Sequence, residues 1–166
     1  MSKSQEFILN KDKYKAAELK TLHQIIFPNH KVELSNEFDR YDCAVPELKV
    51  LIELKNRDFD SDFFDKNYDG EMLLEKHKCD SMLELIKTDK FKGYKACSLY
   101  YFTDNTYQYV VLNNLDFSRM TIKKMYLPRN SFVKNSGKVL KEVYIIPKRL
   151  LNKTNYKRDK IKEGSN

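Results

Sequence analysis

Glycine, cysteine and tryptophan are scarce in this 166-residue chain, which has four glycines, three cysteines and no tryptophan. The few glycines form neither a P-loop nor a dinucleotide-binding fingerprint, because both motifs need several glycines at fixed spacing. The cysteines stand far apart without a CxxC pair, which argues against a disulfide framework and a structural zinc site. No apolar run approaches the roughly 18 residues of a membrane span, and the first residues do not resemble a signal peptide. We therefore expect a cytoplasmic globular protein with no membrane partner.

Charge is distributed unevenly along the chain, whose formal net charge is +7. Residues 1–90 hold 15 Lys and Arg against 19 Asp and Glu, whereas residues 91–166 hold 16 against 5. A basic half suits a polyanionic partner such as nucleic acid, and it leaves the acidic half for another task. A basic surface that serves only solubility is the alternative.

Hydrophobic periodicity predicts an α/β or α+β domain around a mixed sheet. Amphipathic helices are expected over 13–27 and 71–87, and an Asp-rich loop over 56–70. Strands are expected between the two helices and again after the second helix. We expect a single domain over residues 1–147, followed by a basic, flexible tail over 148–166.

Two opposite charges stand on the strongest strand candidate, Lys49-Val50-Leu51-Ile52-Glu53-Leu54-Lys55. Glu53 and Lys55 share one face of a run that is otherwise apolar, so both are expected to be covered rather than solvated. Asp42 lies on the preceding strand, and Glu18 points inward from the first helix. Converging carboxylates suit Mg²⁺ or Mn²⁺. Alternatively, Glu53 and Lys55 are an exposed edge pair, Asp42 ends a strand, and Glu18 is solvated.

The string Asp42, ten residues, then Glu53-Leu54-Lys55 resembles the signature of the PD-(D/E)xK, or restriction-endonuclease-like, nucleases. The resemblance covers about residues 11–103 and implies a core of helix, three strands, helix and strand (αβββαβ), here with additional strands at the carboxyl end. It implies Mg²⁺-dependent hydrolysis of DNA phosphodiester bonds. Tyr41 precedes the aspartate where the family's signature has proline.

The resemblance also implies roles for individual residues. Glu18, Asp42 and Glu53 would hold the metal together with the backbone carbonyl of Leu54. Lys55 would position the attacking water. Two residues of the second helix, Glu75 and Lys78, fall where the family places supporting polar groups. A buried Glu75–Lys78 pair without chemistry is the alternative.

Basic residues follow one another in the second half of the chain and indicate contacts to phosphates. They are Lys123, Lys124, Arg129, Lys134, Lys138 and Lys141. The interleaved aromatic residues are expected mostly in the core rather than as stacking platforms; they are Tyr126, Phe132 and Tyr144. We expect a small endonuclease or junction resolvase from a bacteriophage or bacterium, which acts on DNA as a homodimer that cuts two strands. The alternatives are an RNA-directed nuclease, and a non-catalytic nucleic-acid-binding or phage interaction protein on a degenerate nuclease fold.

Overall fold

The computed structural model describes residues 26–35, 40–129 and 137–155, which form two β-sheets and two α-helices. In chain order the elements are β1 (Glu33–Leu34), β2 (Cys43–Val45), β3 (Val50–Asn56), α1 (Ser61–Asn67), β4 (Met72–Glu75), α2 (Lys76–Leu85), β5 (Lys95–Tyr101), β6 (Thr106–Val111), β7 (Thr121–Pro128), β8 (Lys138–Ile146) and β9 (Asn152–Asn155).

The larger sheet has six strands in the order β1-β2-β3-β5-β6-β9. Only β3 and β5 run parallel, and the other neighbouring pairs are antiparallel. A parallel pair needs a long crossover, which is supplied here by the segment from α1 to α2. The mixed sheet and the two described helices confirm an α+β fold.

Strand β3 lies inside the sheet and has buried residues on both faces. Leu51 packs on one side in a cluster that includes Phe64 from α1 and Met82 from α2. Ile52 and Leu54 pack on the other side in a second cluster. This confirms the prediction of a covered central strand, which follows from the nearly continuous apolar run.

The smaller sheet has the order β4-β8-β7, and its first strand corrects a prediction. The helix expected over 71–87 is a strand over Met72–Glu75 followed by a helix over Lys76–Leu85. Met72 and Leu74 are buried and alternate with less buried neighbours, as in a strand. Residues 72–75 form a strand because they pair with β8, where Met72 lies opposite Ile146, and this pairing outweighs the helical preference of the segment.

The Asp-rich segment contains a short helix rather than only the predicted loop. Asp60 is its N-cap, and its side chain accepts a hydrogen bond of 2.8 Å from the backbone N–H of Phe63. Phe64 anchors the helix in the core, where it is 1% exposed. The aspartate therefore serves to start the helix α1.

The carboxyl-terminal segment adds a strand to the larger sheet. In β9 the backbone of Thr154 lies opposite Tyr107 of β6. The sheet thus extends past Pro147, the predicted end of the folded domain. The first predicted helix, over 13–27, falls almost entirely outside the described residues. None of the helices in the described ranges is long and apolar enough to cross a membrane.

Candidate active site

The candidate site begins on β3, which places Glu53 and Lys55 on the same face. Leu51, two residues earlier on that face, is fully buried, so the polar pair continues an apolar surface. The Glu53 side chain is only 15% exposed and that of Lys55 is 33% exposed. Their charged groups approach to 3.6 Å, from Lys55 Nζ to Glu53 Oε1. The partly covered pair predicted from the strand pattern is present.

Asp42 reaches the same place from the residue before β2. Its backbone N–H donates to the Ile52 carbonyl (2.9 Å), and its Oδ2 accepts from the backbone N–H of Leu54 (2.7 Å). The carboxylate is therefore fixed beside Glu53. In an extended strand the N–H and C=O of one residue point to the same edge. The pairing of β2 with β3 ends at Ile52, so Leu54 lies just past the paired residues. Its carbonyl thus points toward Asp42, at the same edge as its N–H.

Glu75 and Lys78 join the site from the junction of β4 and α2. Lys78 Nζ lies 3.2 Å from Glu75 Oε2 and 3.5 Å from Glu53 Oε1, so it links the two carboxylates. Lys141 of β8 donates to Glu75 Oε1 at 2.6 Å. The result is a cluster of three acidic and three basic side chains, in which Lys141 is a site member rather than an outward phosphate contact.

Asp42 and Lys55 have pKa values that are shifted from their ordinary values. Burial, together with the negative charge of Glu53, raises the pKa of Asp42, although the Leu54 N–H hydrogen bond opposes this. Burial lowers the pKa of Lys55 below its ordinary value of 10.5, against the attraction of Glu53, and the positive charge of Lys78 adds to the lowering. Asp42 thus holds its charge less readily than a solvated aspartate, and Lys55 releases its proton more readily than a solvated lysine.

The other pair is held in its charged form. Burial alone would raise the pKa of Glu75, but the hydrogen bond from Lys141 and the charge of Lys78 lower it to about 2. Burial would lower the pKa of Lys78, but Glu53 and Glu75 outweigh it and raise that pKa. Lys55 and Lys78 therefore differ in protonation chemistry although both lie near Glu53.

The donor set fits a hard divalent cation in part. Asp42 and Glu53 offer carboxylate oxygens close enough for one charge to raise the other's pKa, and the Leu54 carbonyl lies at the same edge. Oxygen donors of this kind suit Mg²⁺ or Mn²⁺. Across residues 26–35, 40–129 and 137–155, no group of three or more His, Cys, Asp or Glu side chains could hold a metal. Glu18, the third predicted carboxylate, lies outside the described residues.

Five of the six predicted phosphate contacts fall on described residues, on β7, on β8 and directly after β7. Lys123, Lys124, Arg129 and Lys138 are exposed. Lys141 is half-buried in the site, and Lys134 lies outside the described residues. These four exposed residues form a basic surface on the paired strands β7 and β8, and β8 also supplies Lys141.

Two further polar residues on this face were missed from the sequence. Arg57, two residues after Lys55, stacks over the Tyr100 ring with its guanidinium carbon 4.1 Å from the ring centroid. Its Nε is buried and has no hydrogen-bond partner among the described residues. Ser98 lies opposite Glu53 on β5 and is 3% exposed. Arg57 could have been predicted, because side chains alternate along a strand and residues 53, 55 and 57 share a face. Ser98 could not, because its position beside Glu53 follows from the parallel pairing of β3 with β5.

No protein-family model matches the chain, and no curated protein or solved structure matches it either.

Proposed function

We propose that this protein is a metal-dependent nuclease that hydrolyses DNA phosphodiester bonds, an endonuclease with a restriction-endonuclease-like core. The observation that carries the proposal is the placement of Asp42 beside Glu53 and Lys55 on a central strand. Three strands, β1 to β3, precede α2 and β5, and β5 runs parallel to β3. The helix α1 and the strand β4 are additions between β3 and α2 that the order implied by the resemblance does not include. A carboxylate whose charge is disfavoured by burial and that lies beside specific charged partners is a feature of functional sites.

Asp42, Glu53 and the Leu54 carbonyl would hold Mg²⁺ or Mn²⁺, with Glu18 as a further ligand. The bound cation would polarise the scissile phosphate and lower the pKa of a water molecule. Lys55, whose pKa is lowered, would orient that water and accept its proton. Arg57, next on the same face, offers a permanent positive charge to the phosphate.

Glu75, Lys78 and Lys141 would position the other groups rather than react. Lys78 touches both Glu53 and Glu75, so it fixes the Glu53 carboxylate relative to α2. Lys141 ties Glu75 to β8, next to the exposed lysines of the basic surface. DNA held on that surface would therefore lie close to Glu53. The exposed lysines and arginine would make contacts that weaken as salt rises.

Cleavage of supercoiled, linear, single-stranded and four-way-junction DNA tests the proposal. Wild type should cut at least one of them with Mg²⁺ or Mn²⁺ and none with EDTA, and both Glu53→Ala and Lys55→Ala should abolish cutting. Matched controls are Glu84→Ala and Lys87→Ala, an exposed pair at the end of α2. Equal cutting by wild type and Glu53→Ala would refute this site.

A second function, nucleic-acid binding without cleavage, is favoured by one observation. Each acidic side chain of the cluster has a lysine among its charged neighbours, so the cluster is stable without a cation. A binding protein would retain salt-sensitive binding of nucleic acid in Lys55→Ala and would cut neither DNA nor RNA. A nuclease would retain binding in that variant and lose cleavage.

A further inference from the structure

The strands β7 and β8 form a ribbon whose outer half pairs with nothing else among the described residues. Strand β4 covers β8 only over residues 143–146. Beyond them, Met125–Pro128 and Lys138–Lys141 pair only with each other. A two-stranded ribbon has no second layer to bury its outer side chains. The side chains on the outer half of the ribbon are therefore available for contact with another molecule.

Large apolar side chains on this ribbon face solvent. Tyr126 is 69% exposed and lies directly opposite Leu140, which is 52% exposed. Ile122, on the same face of β7, is 48% exposed. The pattern contradicts the expectation that Tyr126 belongs to the core. A cross-strand pair of an aromatic and an aliphatic side chain forms a continuous apolar surface.

Two lysines lie beside this apolar pair on the outer face. Lys124 stands between Ile122 and Tyr126, across from Glu142 of β8, and Lys138 lies on the same face of β8 as Leu140 and is exposed. A planar aromatic ring among cations is the combination that binds single-stranded nucleic acid, because bases stack on the ring while the cations contact phosphates.

The ribbon has a second face that leads to the candidate site. Lys141 follows Leu140 directly, and alternation along the strand directs it to the opposite face, where it contacts Glu75. The face of the ribbon that carries Lys141 is thus bound to the site. The opposite face presents Leu140 and Tyr126 to solvent and enters the core farther along β8, at Tyr144 and Ile146.

We propose that the outer face of the β7–β8 ribbon, formed by Ile122, Lys124, Tyr126 and Leu140, binds unpaired nucleotides of a DNA strand. Tyr126 stacks on a base, Leu140 supports the ring, and Lys124 contacts the phosphate. The inference rests on the proposed function. It specifies the substrate class as DNA with an unpaired segment beside the duplex, such as a fork, a flap or an open junction.

The test measures binding of a labelled dT oligonucleotide and of a fully paired duplex by fluorescence anisotropy. It uses EDTA and the Glu53→Ala background, so that cleavage plays no part. Tyr126→Ala should weaken oligonucleotide binding about tenfold and leave duplex binding within about twofold. Tyr126→Phe should retain oligonucleotide binding, because its ring still stacks. Leu48→Ala removes a comparably exposed leucine, 44% exposed, outside the ribbon and should change neither affinity.

Several outcomes would overturn the inference. They are unchanged oligonucleotide binding in Tyr126→Ala, equal losses for oligonucleotide and duplex, and absence of oligonucleotide binding in the parent protein. Failure of the proposed function would look different: the wild-type protein would cut no nucleic acid with Mg²⁺ or Mn²⁺, while Tyr126-dependent oligonucleotide binding persisted.

Discussion

Lys141 Nζ lies 2.6 Å from Glu75 Oε1, and this contact connects the β7–β8 ribbon to the candidate site. Both side chains are largely covered, at 19% and 15% exposed, so the pair is partly shielded from water. Glu75 also contacts Lys78, which contacts Glu53. The basic strand is therefore coupled through a chain of charges to the central strand β3.

Replacement of Lys141 by alanine should destabilise the protein by roughly 1–3 kcal/mol, because Glu75 would lose its closest partner while still mostly buried. Urea unfolding followed by circular dichroism measures the change in the free energy of unfolding. Lys123→Ala is the matched control: Lys123 is exposed on the neighbouring strand and should change stability by no more than about 0.5 kcal/mol. Equal effects of the two substitutions would contradict the structural role of Lys141.

The Glu75 cluster should make stability depend on pH in the acidic range. The pKa of Glu75 is lowered in the folded protein from 4.5 to about 2, so its contribution is fully present above 4.5. It is lost as pH falls toward about 2, because the unfolded chain then binds a proton that the folded chain resists. The contribution is at most about 3 kcal/mol. Glu75→Gln should unfold at a lower urea midpoint than wild type at pH 6, and the difference should shrink steadily toward pH 3. A constant difference would contradict this assignment.

Divalent-cation binding should weaken as pH falls, because Asp42 must lose its proton to act as a ligand and its pKa is raised. Titration calorimetry with Mn²⁺ in buffers of different ionisation enthalpy should detect proton release that grows as the pH falls toward the raised pKa of Asp42. Asp42→Asn should lower Mn²⁺ affinity at least tenfold, since a neutral amide replaces the carboxylate. Asp116→Asn, at an exposed turn, is the control. Wild-type affinity in Asp42→Asn would remove Asp42 from the metal site.

Sequence patterns predicted the parts of the fold that depend on local periodicity. The apolar run around Leu51 and Ile52 indicated a covered strand, and its alternation placed Glu53 and Lys55 together. The error over 71–87 has a different cause. Met72 and Leu74 form a strand by pairing with β8, which lies about 70 residues away in sequence. The helical periodicity of the residues that follow extended the predicted helix back over this strand.

The candidate site was predictable where its residues share a strand or a hairpin. Asp42, Glu53 and Lys55 belong to this group. Lys141 was predicted as a phosphate contact because no local pattern shows that it reaches Glu75 across 66 positions. Tyr126 was expected in the core because aromatic residues in strands usually are. It is 69% exposed, in the part of the β7–β8 ribbon that pairs with no third strand among the described residues, and no local pattern shows where that pairing ends.

Lys55 and Lys78 both lie near Glu53, and their arginine variants should separate their roles. Burial lowers the pKa of Lys55, whereas Glu53 and Glu75 raise that of Lys78. Arginine keeps the positive charge but does not lose its proton in proteins. If Lys55 accepts a proton from the attacking water, Lys55→Arg should cut DNA roughly 10²–10⁴-fold more slowly, whereas Lys78→Arg should stay within about tenfold of wild type.

The pH profile of the cleavage rate distinguishes proton transfer by Lys55 from a purely electrostatic role. With Lys55 as the base, the wild-type rate should rise with pH and level off below 10.5, the ordinary pKa of lysine, because the neutral amine is the active form. Lys78→Arg should show the same rise, since the side chain at position 78 stays charged both as lysine and as arginine. Lys55→Arg should keep only a slow residual rate without that rise. A Lys55→Arg variant with the wild-type rate and profile would show that Lys55 acts through its charge alone, and the proton would then have to leave through another group or through solvent.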